Sequence, residues 1–365
     1  MIVPLIDLKA QYRSIADEIG QAIQTVLDSQ KFILDHEVEQ FEKALASFVN
    51  ARFAVGCASG TDSILLSLLA LGVEPGDEVI TPAYSFFSTA GMISWLKARP
   101  VFVDIDPQTY LLKTDEVHAR VTSRTRAILA VHLFGQCCRI EELVSLNLPI
   151  IEDAAQAIGS QRNGKPAGAL GTMGCFSFFP TKNLGGYGDG GIITTDDESM
   201  ARKMRVLRAH GQESQQYHHT IVGTNSRLDE LQAAVLRVKL NHLKQWNSKR
   251  NMNEAYYRQR LEGLPVELSL IDTVNSSNSH QFVIRIEKRD QLKAFLADRG
   301  IGTAVYYPVP LPLQPCFSEL GHKPGDFPNS EKCAATSLAL PVFPELSEQQ
   351  LEYVVDQIRN FFGSC

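Results

Sequence analysis

The sequence predicts an α/β protein: a large domain built on a mixed, mostly parallel sheet flanked by helices, and a smaller α+β domain at the carboxyl end. Two observations carry this. From Phe53 onward, short apolar runs alternate with stretches of helical spacing, the pattern of parallel strands buried on both faces. The chain has 365 residues, 44% hydrophobic and 21% charged, enough for about two domains with a large core.

The first two elements are amphipathic helices. Ile15, Ile19, Ile23 and Val26 recur at helical spacing over 9–28, and Val38, Phe41, Leu45 and Phe48 do so over 37–49. Strands are then expected at 53–57, 78–81, 101–104, 127–132 and 149–153, with helices at 64–71, 86–96 and 140–146 between them. Two further strands, 175–179 and 190–195, precede a helix at 198–209. Residues 227–261 read as one long helix. Leu228, Leu231, Val235 and Val238 form its stripe, joined by Leu236, Leu240 and Leu243, and Gly263-Leu264-Pro265 stops it. Strands at 281–286 and 303–306 and helices at 291–298 and 348–361 complete the chain. We place the large domain at 1–250 and the small one at 251–365. The run from Pro308 to Pro315 is too apolar for a linker and reads as an ordered loop near the site.

Composition removes several function classes. A net charge of −6 argues against a nucleic-acid binder, which carries a basic patch or stripe. The amino terminus lacks the charged start and apolar run of a signal peptide. The longest apolar-rich run, 63–73, is too short to span a bilayer. The seven cysteines include no CxxC pair, and Cys137 and Cys138 are adjacent, which suits neither a disulfide framework nor a zinc knuckle. His218 and His219 are neighbours, and adjacent histidines rarely converge on one ion, so no metal is expected. A soluble, cytoplasmic protein in a reducing compartment is the expectation.

The chemistry-bearing residues sit at strand ends. Ile150-Ile151-Glu152-Asp153 brings two carboxylates to the edge where ligands lie in open α/β sheets. Side chains alternate along a strand, so only one of the two acids faces a ligand there. Lys182 follows a second apolar stretch, inside Ser177-Phe178-Phe179-Pro180-Thr181-Lys182-Asn183-Leu184-Gly185. An isolated lysine is by default a solvated surface residue, and an isolated aspartate a cap. Together, an acid at a strand end and a lysine behind the next apolar stretch are what a pyridoxal phosphate (PLP) enzyme needs. The lysine forms the Schiff base and the acid pairs with the ring nitrogen. Ser59-Gly60-Thr61-Asp62 opens a helix. Free amides and a glycine make a phosphate site there, although the tetrapeptide alone equally fits a plain cap. The glycine run 185–191 has no strand immediately before it and opens no helix, so it is not a dinucleotide fingerprint. It reads as a flexible loop that lets the backbone pass Lys182.

These segments, with 81–89, 223–234 and 303–315, resemble the DegT/DnrJ/StrS family of PLP-dependent nucleotide-sugar aminotransferases over nearly the whole chain. The resemblance implies the fold of the type I PLP-dependent transferases. It implies Lys182 as the Schiff-base residue and Asp153, not Glu152, as the partner of the ring nitrogen. Gln156 would reach the phenolic oxygen of the ring, Gly60, Thr61 and Ser177 would hold the phosphate, and Phe86 would stack on the ring with Phe87 left in the core. Asn225 would cross to the cofactor phosphate of a partner subunit, which requires a homodimer with shared sites. Arg227 would be available to substrate anions, since its fork binds two oxygens at once. Tyr306 and Tyr307 would line the substrate site. Tyr306 and Pro312 stand where relatives often have histidine, which leaves the sugar open.

The implied reaction is ping-pong. An amino donor, usually glutamate, aminates the cofactor with Lys182 moving the proton, and a keto-sugar nucleotide then receives the amino group. Such enzymes serve amino-sugar biosynthesis for cell-surface polysaccharides or secondary metabolites. A UDP-linked 3-keto-hexuronate is the favoured acceptor, with Arg227 for its carboxylate; a dTDP-linked 3- or 4-keto-6-deoxyhexose is the alternative. An ordinary amino-acid transaminase is the nearest other enzyme. Sugar dehydratases of the family carry histidine in place of the lysine. A non-catalytic regulator or sensor would show a decayed cofactor set, whereas Asp153, Gln156, Ser177, Lys182 and Asn225 are all present.

Overall fold

The structure, a computed structural model, describes residues 1–213 and 215–363. From the amino end the chain forms α1 (Leu8–Ser29), α2 (His36–Val49), β1 (Phe53–Cys57), α3 (Gly60–Ala70), β2 (Glu78–Pro82), α4 (Ser88–Trp95) and β3 (Arg99–Val103). A single turn α5 (Thr114–Val117) leads to β4 (Thr125–Val131), β5 (Ile150–Asp153), the short strands β6 (Gln161–Arg162) and β7 (Lys165–Pro166), then β8 (Met173–Ser177) and β9 (Gly191–Thr195). After α6 (Glu198–Leu207) and α7 (Glu230–Arg260) come β10 (Glu267–Leu268), β11 (Asn275–Ser276), β12 (Phe282–Arg285), α8 (Arg289–Ala297), α9 (Pro328–Thr336), β13 (Ser337–Leu340) and α10 (Glu348–Gly363).

Seven strands make the central sheet in the order β1-β9-β8-β5-β4-β2-β3. Only β9 runs against its neighbours, pairing antiparallel with both β1 and β8. The carboxyl ends of β1, β2, β5 and β8 therefore share one edge, and β9 starts there. This edge collects the loops after Cys57, Pro82, Asp153 and Ser177, where ligands of open α/β sheets bind. One face of the sheet packs on α3 and α6 and the other on α2 and α7. α3 is apolar nearly all round, as a helix between layers must be.

Local signals explain the boundaries. Ser59 caps α3 by accepting from the Asp62 N–H at 3.0 Å, and Asp229 caps α7 by accepting from the Gln232 N–H at 2.8 Å. Asp229 starts α7 later than residue 227, so 225–228 stays outside the helix. α4 likewise begins at Ser88, which leaves Phe86 in the preceding loop. A separate three-stranded sheet, β10-β12-β13, packs with α8 and α10 into an apolar cluster of residues 257–361, which Val3 also joins.

Two expected elements differ. Residues 140–146 form two 3-10 turns rather than an α-helix. Only Ile140 and Leu143 are buried, and a repeat of three suits 3-10 geometry. Residues 303–306 are not a strand. Ala304 alone bridges Ala339, and the chain then turns because the Tyr84 hydroxyl donates to the Tyr306 carbonyl and accepts from the Tyr307 N–H. The run after Pro308 is ordered as expected: Leu311 and Pro312 are buried, and the Leu311 N–H reaches the Ala83 carbonyl at 2.8 Å. All six cysteines among the described residues are free, and Cys365 lies outside them. Among the described residues no helix is long and apolar enough to cross a membrane, and no cluster could hold a metal.

Candidate active site

The two acids ending β5 point to opposite fates. Glu152 is fully buried and saturated. Its carboxylate takes the N–H groups of Gly168, Leu170 and Gly171 and faces His132 Nε2 at 2.8 Å. His132 Nδ1 accepts the Cys138 N–H, so the ring proton is on Nε2 and is donated to Glu152. Glu152 is thus a structural buttress. Asp153 is buried but less engaged: Oδ2 accepts from the Thr89 hydroxyl at 2.8 Å and Oδ1 from the Ala155 N–H at 3.3 Å. Burial raises its pKa, against the Thr89 and Ala155 hydrogen bonds and the charge of Lys182.

Lys182 lies beside Asp153, and each senses the other's charge. Its side chain keeps some open surface, yet its amine makes no hydrogen bond or ion pair among the described residues. Burial lowers its pKa to about 8, with Asp153 pulling the other way. Capture of an aldehyde cofactor by the apoprotein should therefore speed up as pH rises and level off above about 8, because only the neutral amine attacks. Asp153→Asn should move that midpoint lower still. Stopped-flow absorbance checks this; a midpoint in the ordinary lysine range, about 10.4, would mean a solvated amine.

Gln156 is fixed at both ends of its amide. Its Oε1 accepts from the Phe134 N–H at 2.7 Å and its Nε2 donates to the Tyr307 hydroxyl at 3.0 Å. The Tyr307 ring stands 6.1 Å from both Tyr84 and Phe86. Phe86 is 53% exposed, as a ring presented to an open site would be. Phe87 is not in the core as expected: it is 46% exposed, stacks on Phe317 at 5.8 Å and lies over Gly91. Its place ahead of the helix start leaves both phenylalanines in the loop.

At the start of α3, a Cβ on Gly60 would come within 2.5 Å of Ser177 Cβ. Only glycine permits this approach, which sets the free amides of Gly60 and Thr61 beside the Ser177 hydroxyl. The Thr61 hydroxyl is 2.7 Å from that of Ser88. Ser226 ties the next segment in, donating to Asp62 Oδ2 at 2.6 Å and accepting the Ala58 N–H at 3.2 Å. This carries Asn225, which is exposed, and Arg227 to the same edge. The Arg227 side chain has no partner among the described residues. The 185–191 loop is tethered rather than loose: Lys239 donates to the Gly185 carbonyl at 2.7 Å, and Gln232 accepts the Tyr187 N–H at 2.7 Å.

Contacts thus join Gln156, Tyr307, Phe86 and Tyr306, Lys182 lies beside Asp153, Gly60 packs on Ser177 with Thr61 next in the same helix, and Ser226 holds the segment of Asn225 and Arg227 to that helix start. Sequence reasoning missed Thr89, which orients Asp153, and His280. Burial and the charges of Lys182 and Arg250 hold the His280 imidazole well below its usual pKa. Neither residue announces itself, since a threonine in a first helical turn and a lone histidine have many ordinary uses. The donor set fits PLP: a free desolvated amine, a buried carboxylate, a glycine-lined helix start for a phosphate and an exposed ring.

Comparison with known proteins agrees. A model of the DegT/DnrJ/EryC1/StrS aminotransferase family matches residues 13–359. A Geobacillus stearothermophilus protein named a pleiotropic regulatory protein is 48% identical over 369 residues, 99% of either chain. A UDP-N-acetyl-3-dehydro-α-D-glucosamine 3-aminotransferase of Acidithiobacillus ferrooxidans is 41% identical over 362 residues, 98% of this chain and 97% of its own. The crystal structure of S. venezuelae DesV in complex with a ketimine intermediate has a TM-score of 0.96 and 41% identity, covering 99% of this chain and 98% of its own. The chain belongs to the DegT/DnrJ/EryC1/StrS aminotransferase family, whose aminotransferases depend on pyridoxal phosphate.

Proposed function

We propose that this protein transfers an amino group from L-glutamate to a keto-sugar nucleotide, in the biosynthesis of an amino sugar for a cell-surface polysaccharide or a secondary metabolite. One observation carries the reading: the desolvated, unbonded amine of Lys182 next to the buried carboxylate of Asp153. Bound pyridoxal phosphate supplies a sink for the electrons left when the donor's α-carbon loses a proton. Lys182 would anchor the cofactor and, once freed by the donor, would move that proton from the donor's α-carbon to the cofactor's aldehyde carbon, and in the second half would move one from there to the sugar carbon that receives the amine. Asp153, held by Thr89, keeps a proton on the ring nitrogen. Gln156 and Tyr307 fix the wall beside the ring's oxygen, and Phe86 covers its face. The amides of Gly60 and Thr61, with the Thr61 and Ser177 hydroxyls, would hold the phosphate.

Tyr306, Tyr307 and Arg227 are assigned to the sugar nucleotide. The unpartnered Arg227 and the similarity to a UDP-linked 3-keto-sugar enzyme support a UDP-linked 3-keto acceptor, such as a 3-keto-hexuronate. A dTDP-linked 3- or 4-keto-6-deoxyhexose competes with it and needs no cation for a sugar carboxylate. Incubating the enzyme with glutamate and a panel of keto-sugar nucleotides decides this by mass spectrometry. Amination of a UDP-linked 3-ketone is expected; amination only of dTDP-linked sugars would transfer the assignment to the alternative. The regulator reading gains support from the 48% identical relative, but a sensor has no need of a desolvated lysine paired with a buried acid.

The same reading takes the enzyme as a cytoplasmic homodimer. Asn225 is exposed, as a residue reaching a second copy's phosphate would be; a monomer by light scattering would remove that role. The division into 1–250 and 251–365 belongs here too, supported by the separate apolar cluster beyond residue 257.

A further inference from the structure

We propose that the small cavity beside Lys182, walled by Arg250, Gln281, Thr181 and Tyr306, binds the carboxylate of the amino-acid donor. The inference rests on the transaminase reading and names a subsite within it. The cavity measures about 110 Å³. Leu5, Phe343 and other apolar side chains close its far wall. It has room for a short chain and none for a nucleotide.

Arg250 is the observation that points to a ligand. Four arginines are buried: Arg162, Arg208, Arg250 and Arg285. Arg162, Arg208 and Arg285 each pair with a carboxylate. Arg250, only 4% exposed, feels the charge of Glu345 but forms no ion pair with it or any other acid among the described residues. Its Nη1 donates to the His280 carbonyl at 3.3 Å, and its Nε has no partner. The Gln281 side-chain oxygen also lacks one. The cavity wall therefore holds an unmet cationic donor and an unmet acceptor, the complement of an amino acid's carboxylate and ammonium.

Position favours the donor over the sugar. Thr181, in the cavity wall, adjoins Lys182, and His280, also in the wall, feels the charges of both Lys182 and Arg250. In an amino acid the carboxylate and the reacting amine sit on one carbon. A carboxylate on Arg250 would direct that amine toward Lys182. Arg227, at the Gly60 edge, remains for the sugar nucleotide.

The test separates the half-reactions of the PLP-loaded enzyme by absorbance. With Arg250→Gln, the glutamate concentration for half-maximal conversion should rise at least ~10-fold, the scale of one lost charge-assisted contact. Reaction of the aminated enzyme with its keto-sugar acceptor should change by less than about 3-fold, since context effects of that size attend any neighbouring change. Arg250→Lys should recover part of the loss. Equal losses in both halves, or unchanged glutamate dependence, would overturn the proposal and leave Arg250 as a clamp on the His280 loop. If Arg250→Gln does not fold, Arg250→Lys and Gln281→Leu carry the same comparison. Should no amino acid convert the wild type, the transaminase reading fails on its own. Glutarate binding by calorimetry then still judges the cavity: binding lost in Arg250→Gln supports it, and binding that is absent or unchanged overturns it.

Discussion

Replacing Lys182 with alanine is expected to abolish turnover, by about 10⁴-fold or more, and to remove the visible band of lysine-bound cofactor. Two functions disappear together, the covalent anchor and the proton carrier. The fold should survive, because the Lys182 amine makes no hydrogen bond or ion pair among the described residues whose loss would leave a group unsatisfied. An unchanged melting temperature with no turnover is the expected pair of readings. Retained turnover, measured as keto acid released from glutamate, would mean that another group carries the proton.

Asp153→Asn carries the second largest effect. The amide keeps the shape of the side chain, and its oxygen can still accept from Thr89. It cannot hold a proton on the ring nitrogen. The variant should retain cofactor and lose activity by about 10²–10³, the scale of one preorganised electrostatic contact. Glu152→Gln should behave in the opposite way. It disturbs a carboxylate that collects three backbone N–H groups and His132, so stability falls first. Near-normal kinetics of Asp153→Asn, with activity lost in a stably folded Glu152→Gln, would exchange the two roles.

The sheet was legible because its strands are short apolar runs with helices between them, and burial on both faces leaves such runs few alternatives. Lys182 and Asp153 stood out in the sequence through their place behind a strand and at a strand end, taken together with the family resemblance. Local chemistry settled what periodicity could not. Asp229 moved the start of α7 and so put Arg227 in a loop, and the later start of α4 put Phe86 in one. Tyr84 pinned the 306–307 peptide and ended a strand after a single bridge. The contrast between Glu152 and Asp153 depends on backbone N–H groups at 168–171, which alternation along β5 does not reveal. Arg250 was illegible for a similar reason. Its place in α7 marks one helix face, but whether an acid meets it depends on loops far along the chain.

The absorbance spectrum of the purified, PLP-supplied protein, before and after adding glutamate, tests the central assignment most directly. A visible band that shifts to the pyridoxamine form on adding glutamate is predicted, with the same band missing from Lys182→Ala. A wild type that forms no band despite saturating PLP would contradict the role given to Lys182 and restore the regulator reading.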